Sequence, residues 1–312
     1  MNNYYSVNFL GGIMKKIISL LIFMAILVLA CACGAQNGGD TVSTDDYSQG
    51  ATTSTTNLNQ GGTTSELTSS TTTSAEPEPE YEYLSFYLSS KGYYWANKKD
   101  NAIMPEVLVI PGSYKGIPVK YIDFEEFCGC DEITEIVICE GVEEIANSAF
   151  STCSNVKKIT LPKSIKKIGK SAFYNCVSLA EVCFTDSVSG LEFGYNIFGK
   201  CKSLVKINLP AGITIVEDFM FCDCTSLKEI NIPEGVVEIG STAFANSSSL
   251  ETVRIPKSVT EISSNSFNNC TSLKNIVFGG TKSEWEKASQ YTDLNSDSRG
   301  CTITCSDGTV GK

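Results

Sequence analysis

Two kinds of side chain in this sequence are reactive enough to do chemistry. Fourteen cysteines are spread along it, and carboxylates occur as adjacent pairs, Glu125 with Glu126 and Glu143 with Glu144. Thiolates are nucleophiles and metal ligands, and two carboxylates held about 5 to 10 Å apart can act as acid and base on a glycosidic bond. The sequence contains no histidine. That removes Ser-His-Asp and Cys-His catalysis, His-ligated metal sites and the histidine pH switch. Any catalysis must therefore rest on carboxylates, Lys, Tyr or Cys. A net charge of -11 argues against a nucleic-acid-binding surface.

What positions these groups is a twelve-residue phrase, Ile168-Gly-Lys-Ser-Ala-Phe-Tyr-Asn-Cys-Val-Ser-Leu179, which occurs seven times in degenerate form. The other copies begin at Ile122, Ile145, Phe193, Val216, Ile239 and Ile262. Each has Phe at its sixth place: Phe127, Phe150, Phe173, Phe198, Phe221, Phe244 and Phe267, at intervals of 23, 23, 25, 23, 23 and 23 residues. A fixed period of about 20 to 29 residues with Leu or Ile in set columns is the mark of a leucine-rich-repeat solenoid. The expected fold is therefore α/β, with about seven coils and a parallel β-sheet on one face. In the fifth copy, Leu227-Lys-Glu-Ile-Asn-Ile232 turns Leu227, Ile230 and Ile232 inward and leaves Glu229 and Asn231 on the open face. Pro233 ends that strand. Residues 213–216 form a second short extended stretch, and 218–225 a helical or turn-like return carrying Phe221 and Cys224.

The repeat sorts the cysteines. Cys130, Cys153, Cys176, Cys201, Cys224 and Cys270 each follow the repeat Phe by three residues, with Ser247 in the same column. Neighbouring coils lie about 4.8 Å apart, but in-register side chains point the same way, which disfavours the disulfide dihedral. Buried free thiols supporting the return loop are expected. The Cys-x-Cys pairs, Cys128 with Cys130 and Cys222 with Cys224, look like metal ligands, yet one member of each belongs to the core column. No metal and no cofactor is expected. The carboxylate pairs fall at solvent-facing repeat positions, and a charged surface explains them better than a catalytic pair.

The open face supplies the candidate binding residues. One column reads Glu135, Lys158, Glu181, Lys206, Glu229, Thr252, Asn275; the next reads Val137, Thr160, Cys183, Asn208, Asn231, Arg254, Val277. The polar members, Glu135, Lys158, Thr160, Glu181, Lys206, Asn208, Glu229, Asn231, Thr252, Arg254 and Asn275, are the candidates for contact with a protein or glycan. Alternating charges in the first column also predict a ladder of in-sheet pairs, each worth about 0.2 to 1 kcal/mol. No aromatic cluster marks a hot spot on this face.

Both ends of a solenoid need cover. Residues 81–118, rich in Tyr and β-branched residues, read as two or three strands forming an N-terminal cap, with a carbohydrate-stacking platform as the alternative use of the tyrosines. The repeats occupy 119–281. Residues 282–312 form a C-terminal cap, with a short helix at 282–288, a strand at 301–305, and Trp285 as a packing residue. Upstream, residues 34–80 are Thr, Ser, Gly, Asn, Gln and Asp with almost no large apolar residue, so they make a disordered spacer. A flexible coil of that length spans on the order of 40 Å.

Met14-Lys-Lys16 and the apolar run 17–30 have the form of a secretory signal, with Met14 as a possible start. The run ends in Val28-Leu-Ala-Cys31-Ala-Cys33, which resembles the lipobox of bacterial lipoproteins. By that resemblance Cys31 carries the lipid, with Cys33 as the second candidate; residues 1–30 are then a signal peptide and 31–80 the anchor and linker. An uncleaved membrane helix is the alternative.

The repeated phrases themselves closely resemble BspA-type leucine-rich repeats of bacterial surface proteins. Ile239-Gly-Ser-Thr-Ala-Phe244 with Ser249-Leu-Glu-Thr-Val-Arg-Ile-Pro256 matches nearly throughout, apart from Ser247 in the Cys column. The first copy departs, with Asp123 in place of Gly and Glu126 in place of Ala, and the third coil has two extra residues near 187–190. The resemblance implies a non-catalytic, cell-surface adhesion or interaction protein. The expectation is thus a lipid-anchored monomer outside the cytoplasm that binds an unknown protein or glycan and no nucleic acid. A carboxylate-based extracellular enzyme and a structural envelope component are the alternatives.

Overall fold

The computed structural model describes residues 81–184, 190–290 and 300–310. Cys31, Cys33, the apolar run and the linker lie outside the described residues, as does most of the 187–190 stretch. All described residues belong to one unit, Pro79–Lys312.

Most coils contribute a strand of three or four residues, a tight corner, a two-residue strand and a return turn. The longer strands are β3 (Val107–Ile110), β6 (Glu135–Ile138), β8 (Lys158–Leu161), β10 (Glu181–Phe184), β13 (Glu229–Asn231), β15 (Thr252–Ile255), β17 (Asn275–Phe278) and β18 (Thr302–Cys305). They pair in parallel and in register, as in Ile136 opposite Ile159 and Val253 opposite Ile276. Pro162 and Pro256 follow β8 and β15 directly, and a residue without an N–H cannot extend the ladder. The short strands form a second parallel column: β5 (Ile117–Ile122), β7 (Glu144–Ile145), β9 (Lys167–Ile168) and β11 (Glu192–Phe193), then β12 (Ile215–Val216), β14 (Glu238–Ile239) and β16 (Glu261–Ile262). The seven phrase-bearing coils and the flanking layers give about nine turns in all, with little helix.

The return turns stay compact because two residues per coil adopt left-handed backbone, for example Ser171 (φ 54) and Asn175 (φ 59). Between them lies the Phe that fills the core. The seven Phe rings stack into one column, with centroids from 5.2 Å (Phe127 to Phe150) to 5.8 Å (Phe173 to Phe198) apart. The five middle rings are wholly buried, and each such side chain contributes about 1.5 to 3 kcal/mol.

Beside this column the cysteines form a second one. Cys153 Sγ donates to the Phe127 carbonyl, Cys176 to Phe150, Cys201 to Phe173, Cys224 to Phe198 and Cys270 to Phe244, at 3.0 to 3.4 Å. Ser247 fills the gap with its hydroxyl, donating to the Phe221 carbonyl at 2.9 Å. The six column cysteines are free thiols, as are Cys128 and Cys222. Desolvation pushes the Cys176 and Cys270 thiols up to about 12.

Each end of the stack carries further elements. β1 (Leu84–Leu88) and β2 (Tyr94–Lys98) form an antiparallel hairpin, and β2 pairs in parallel with β5. A two-residue strand, β4 (Ser113–Tyr114), folds back on β5. At the far end, helix α1 (Lys282–Ala288) starts at a capping box of Thr281 and Glu284, and buried Trp285 meets Phe278 edge-on at 5.5 Å. β18 continues the long-strand sheet and β19 (Gly308–Val310) closes it in antiparallel.

Both sheets are interrupted at one level. The long-strand sheet ends at β10 and resumes at β13, because residues 204–210 run extended without strand pairing. The short-strand column likewise stops at β11 and resumes at β12. This is the coil that follows the two-residue insertion. The Phe column and the return-turn hydrogen bonds, such as Phe198 N to Met220 O at 3.1 Å, cross the level intact.

Candidate functional site

The long-strand face carries the residues singled out from the sequence, and the fold divides them. On the first half, Thr160 is buried, flanked in register by buried Val137 and half-buried Cys183. It is withdrawn from any partner, which corrects its candidacy: its in-register neighbours cover it. On the second half, Lys206, Asn208, Glu229, Asn231, Arg254 and Asn275 are all exposed. Thr252, between Glu229 and Asn275, is half-buried, as are Glu135 and Lys158.

The expected charge ladder is present in pieces. Lys206 pairs with Glu229 at 3.0 Å and Lys158 with Glu181 at 3.8 Å, while Glu135 makes no ion pair among the described residues. These pairs are open to solvent and are each worth less than about 1 kcal/mol. The side chains of Asn208, Asn231 and Arg254 make no hydrogen bond or ion pair to other described residues. Asn231 and Arg254 stand opposite each other on β13 and β15, so donors and acceptors project in a row that the fold leaves unused.

Both carboxylate pairs line shallow depressions. Glu125 and Glu126 border one of about 430 Å³ with Lys98, Asp100 and Phe124. Glu126 is engaged there, accepting from the Lys98 backbone N–H at 3.1 Å. Glu143 and Glu144 border another of about 380 Å³ with Tyr121, Lys166, Lys167, Gly190 and Glu192. Glu143 is clamped between Lys120 at 2.7 Å and Lys166 at 2.9 Å, and Glu144 pairs with Lys167 at 3.1 Å. Hydrogen bonds from the two lysines hold the Glu143 carboxyl below its ordinary value. That is the wrong direction for a general acid. The carboxylates that are pushed up, Glu217 and Glu238, owe it first to burial and then to acidic neighbours, and they border neither depression.

A third feature involves the N-terminal tyrosines, for which the sequence offers a stacking platform as the alternative to capping. The N-terminal aromatics separate into two groups on opposite sides of one sheet. Tyr81, Phe86, Tyr94 and Tyr114 pack against the core, with Phe86 and Tyr114 stacked at 4.1 Å. Tyr93, Trp95 and Tyr121 do not join that core. They stack on one another, with Tyr121 5.0 Å from Tyr93 and 5.3 Å from Trp95. The Lys120 ammonium lies 5.9 Å from the Tyr93 ring centroid. Tyr93, just before β2, and Trp95 on it are two residues apart, a spacing that places both on one side of an extended chain. The alternation was visible in the sequence; the partner strand that brings Tyr121 beside them was not.

The family model for the BspA type leucine rich repeat region matches six copies, over residues 120–194 and 191–296, more than half of the chain. The chain belongs to the BspA-type leucine-rich repeat family. Among solved structures, this BspA-type chain is similar to the leucine-rich repeat protein of T. pallidum, at 24% identity over 65% of this chain and 86% of that one, with a TM-score of 0.46. It is also similar to a leucine rich cell surface protein of Faecalibacterium prausnitzii, at 20% identity over 69% of this chain and 98% of that one, with a TM-score of 0.28. A leucine-rich repeat protein of Bacteroides ovatus matches at 24% identity over 65% and 71% of the two chains, with a TM-score of 0.31. No curated protein matches. Leucine-rich-repeat solenoids are typical of binding proteins without catalytic activity.

Proposed function

We propose that this chain is a non-catalytic binding module, held outside the cytoplasm by a lipid on Cys31 or Cys33, and that it recognises a protein or glycan partner with the open half of its long-strand face. The observation that carries the reading is the exposed row of Asn208, Asn231 and Arg254, whose hydrogen-bonding groups serve nothing inside the fold. The paired strands β13 and β15 fix the spacing of Asn231 and Arg254 before binding, which lowers the entropic cost of association. The apolar run at 17–30, the lipobox-like cysteines and the spacer at 34–80 support an anchored module projected away from a membrane. Membership in the BspA-type family supports an interaction role at a surface.

Two measurements test it. Fractionation of cells expressing the chain and its Cys31→Ala and Cys31→Ala/Cys33→Ala variants reads the anchor: the reading expects a diacylated N-terminal peptide and loss of membrane association in the double variant. An unchanged membrane fraction overturns the anchor. Capture of surface proteins and glycans by the full chain, repeated with Asn231→Asp/Arg254→Glu, reads the face. A partner lost in that variant supports it, and capture indifferent to the change removes this row from the site.

A further inference from the structure

The groove beside Tyr121 lies on the short-strand side, away from the row just described, and its aromatic neighbours stand outside the core, tied to the fold by cross-strand stacking such as Trp95 on Tyr121. Stacked rings normally complete a core, but Tyr93, Trp95 and Tyr121 are half-buried on the outer side of the β2–β5 sheet and pack against one another. The capping of the first coil is already done by Tyr81, Phe86, Tyr94 and Tyr114 on the inner side. Three amphipathic rings are thus kept at a surface where they cost solvation and add nothing to the column of Phe rings.

What adjoins them has a definite chemistry. From Tyr121 the sheet continues in register through Glu144 on β7, Lys167 on β9 and Glu192 on β11. Alongside run Lys120, Glu143 and Lys166, joined by ion pairs. The groove therefore presents three lysines and three glutamates, a balanced set with both donors and acceptors and no excess of either charge. An acidic or basic ligand gains nothing from it over the screened pairs already formed. A ligand with many neutral hydroxyls, each able to donate and to accept, finds partners along its whole length.

We propose that the Tyr93–Tyr121–Trp95 cluster and the groove of Glu143, Glu144, Lys166 and Lys167 form a binding site for a neutral glycan. The C–H faces of a pyranose are apolar and electropositive and lie flat on the negative face of an aromatic ring. The rungs of a parallel sheet are about 4.8 Å apart, close to the length of one pyranose unit in an extended chain, so successive sugars meet successive rungs. A peptide strand rises only about 3.3 Å per residue, and it adds to a sheet at an edge through main-chain bonds. Here the contact surface is a sheet face bearing side chains. These rungs thus fit a sugar chain better than an extended peptide.

The inference rests on the reading of the chain as a binding module but uses a different face, so the two can fail separately. The full chain, purified in a detergent without a sugar headgroup, is titrated with maltoheptaose, cellohexaose, mannohexaose and xylohexaose, with heparin and polygalacturonate as charged controls, by calorimetry. Trp fluorescence provides a second readout, since the chain has two tryptophans and Trp285 is buried. The expected result is binding of at least one neutral oligosaccharide with a Trp95 signal. Tyr121→Ala and Trp95→Ala should each weaken it at least 10-fold, Tyr121→Phe less than 3-fold, and Asn231→Asp/Arg254→Glu not at all. Unchanged circular dichroism melts show that the variants are folded. Absence of binding to every neutral sugar overturns the proposal, as does binding indifferent to both ring deletions, preference for the charged controls, or cluster-dependent capture of a protein alone.

Discussion

Cys153 donates its thiol proton to the carbonyl oxygen of Phe127, one coil earlier, across 3.0 Å. The same bond recurs at Cys176, Cys201, Cys224 and Cys270, so these thiols are buried polar tethers, each a second donor to a Phe carbonyl that already accepts a backbone N–H within its own coil. Serine performs the task at position 247. Size, donor capacity and tolerance of burial define the column, and reactivity does not.

Replacing one tether tests this. Cys176→Ser is expected to cost little, because the donor is kept, whereas Cys176→Ala removes one of the two donors to the Phe150 carbonyl, which keeps the Cys153 N–H, and should cost about 0.5 to 1.5 kcal/mol more. Urea denaturation midpoints distinguish the two. Equal losses would show that packing alone matters at this position.

Thiol labelling offers a second check. At pH 8 the native chain should alkylate Cys128, which is exposed, and spare the six column cysteines, whose thiols are buried and, as at Cys176, pushed far above that pH. After denaturation without reductant all of them should label. Peptide mass spectrometry reads the result, and protection in the denatured chain would reveal disulfides.

The Phe column carries the largest penalties. Phe173→Ala removes a ring stacked between Phe150 at 5.5 Å and Phe198 at 5.8 Å and should cost about 3 to 5 kcal/mol. Phe267, the last of the stack, meets a ring on one side only, and Phe267→Ala should cost distinctly less. Equal losses at the two positions would contradict a stack stabilised by both neighbours.

Gly169 explains the Ile-Gly step of the repeat. A Cβ there would lie 2.5 Å from the backbone nitrogen of Asn147 in the coil before it. Gly169→Ala must push two coils apart and should cost about 1 to 3 kcal/mol, seen as a lowered thermal midpoint. A neutral outcome would show that the coils can slide. Asp123 occupies the same place in the first copy, where no earlier phrase-bearing coil lies behind it.

The carboxylates set opposing pH responses. Glu143 has a lowered pKa in the fold, so its stabilisation is present above the unfolded value and is lost as pH falls through the folded one. Glu238 is raised, so its contribution is complete below the unfolded value and is lost as pH rises through the folded one. Glu143→Gln should therefore lower stability at pH 7 by about 1 kcal/mol or less, while Glu238→Gln should raise it. The Glu238→Gln difference should vanish near pH 3, and the Glu143→Gln difference should shrink as pH falls through the lowered folded value. Denaturant midpoints at the two pH values decide, and a destabilising Glu238→Gln at pH 7 would contradict the assignment.

The architecture was legible because it is periodic. A Phe every 23 residues and a Leu-x-x-Ile-x-Ile spacing leave little choice of fold, and the free thiols followed from the column geometry. Surface detail was not legible in the same way. Thr160 and Asn231 occupy equivalent places in the repeat, yet one is covered by its rungs and the other is open, a difference set by neighbours 23 residues away. The tyrosines at the N-terminal end are alike in composition. Their division between a core side and an outer side depends on the pairing of β2 with β5 and on the irregularity between Tyr94 and Trp95, which no local pattern encodes.

The shared interruption of both sheets has a mechanical meaning. Tension along the stack is resisted at most levels by two ladders of strand bonds, but among the described residues between β10 and β13 the connection falls to the turn-side bonds, the ring column, isolated bonds such as Lys228 N–H to the Val205 carbonyl, and the Lys206–Glu229 pair. Under load along the stack, this level has the fewest strand bonds to break, while the segments on either side keep their own ladders.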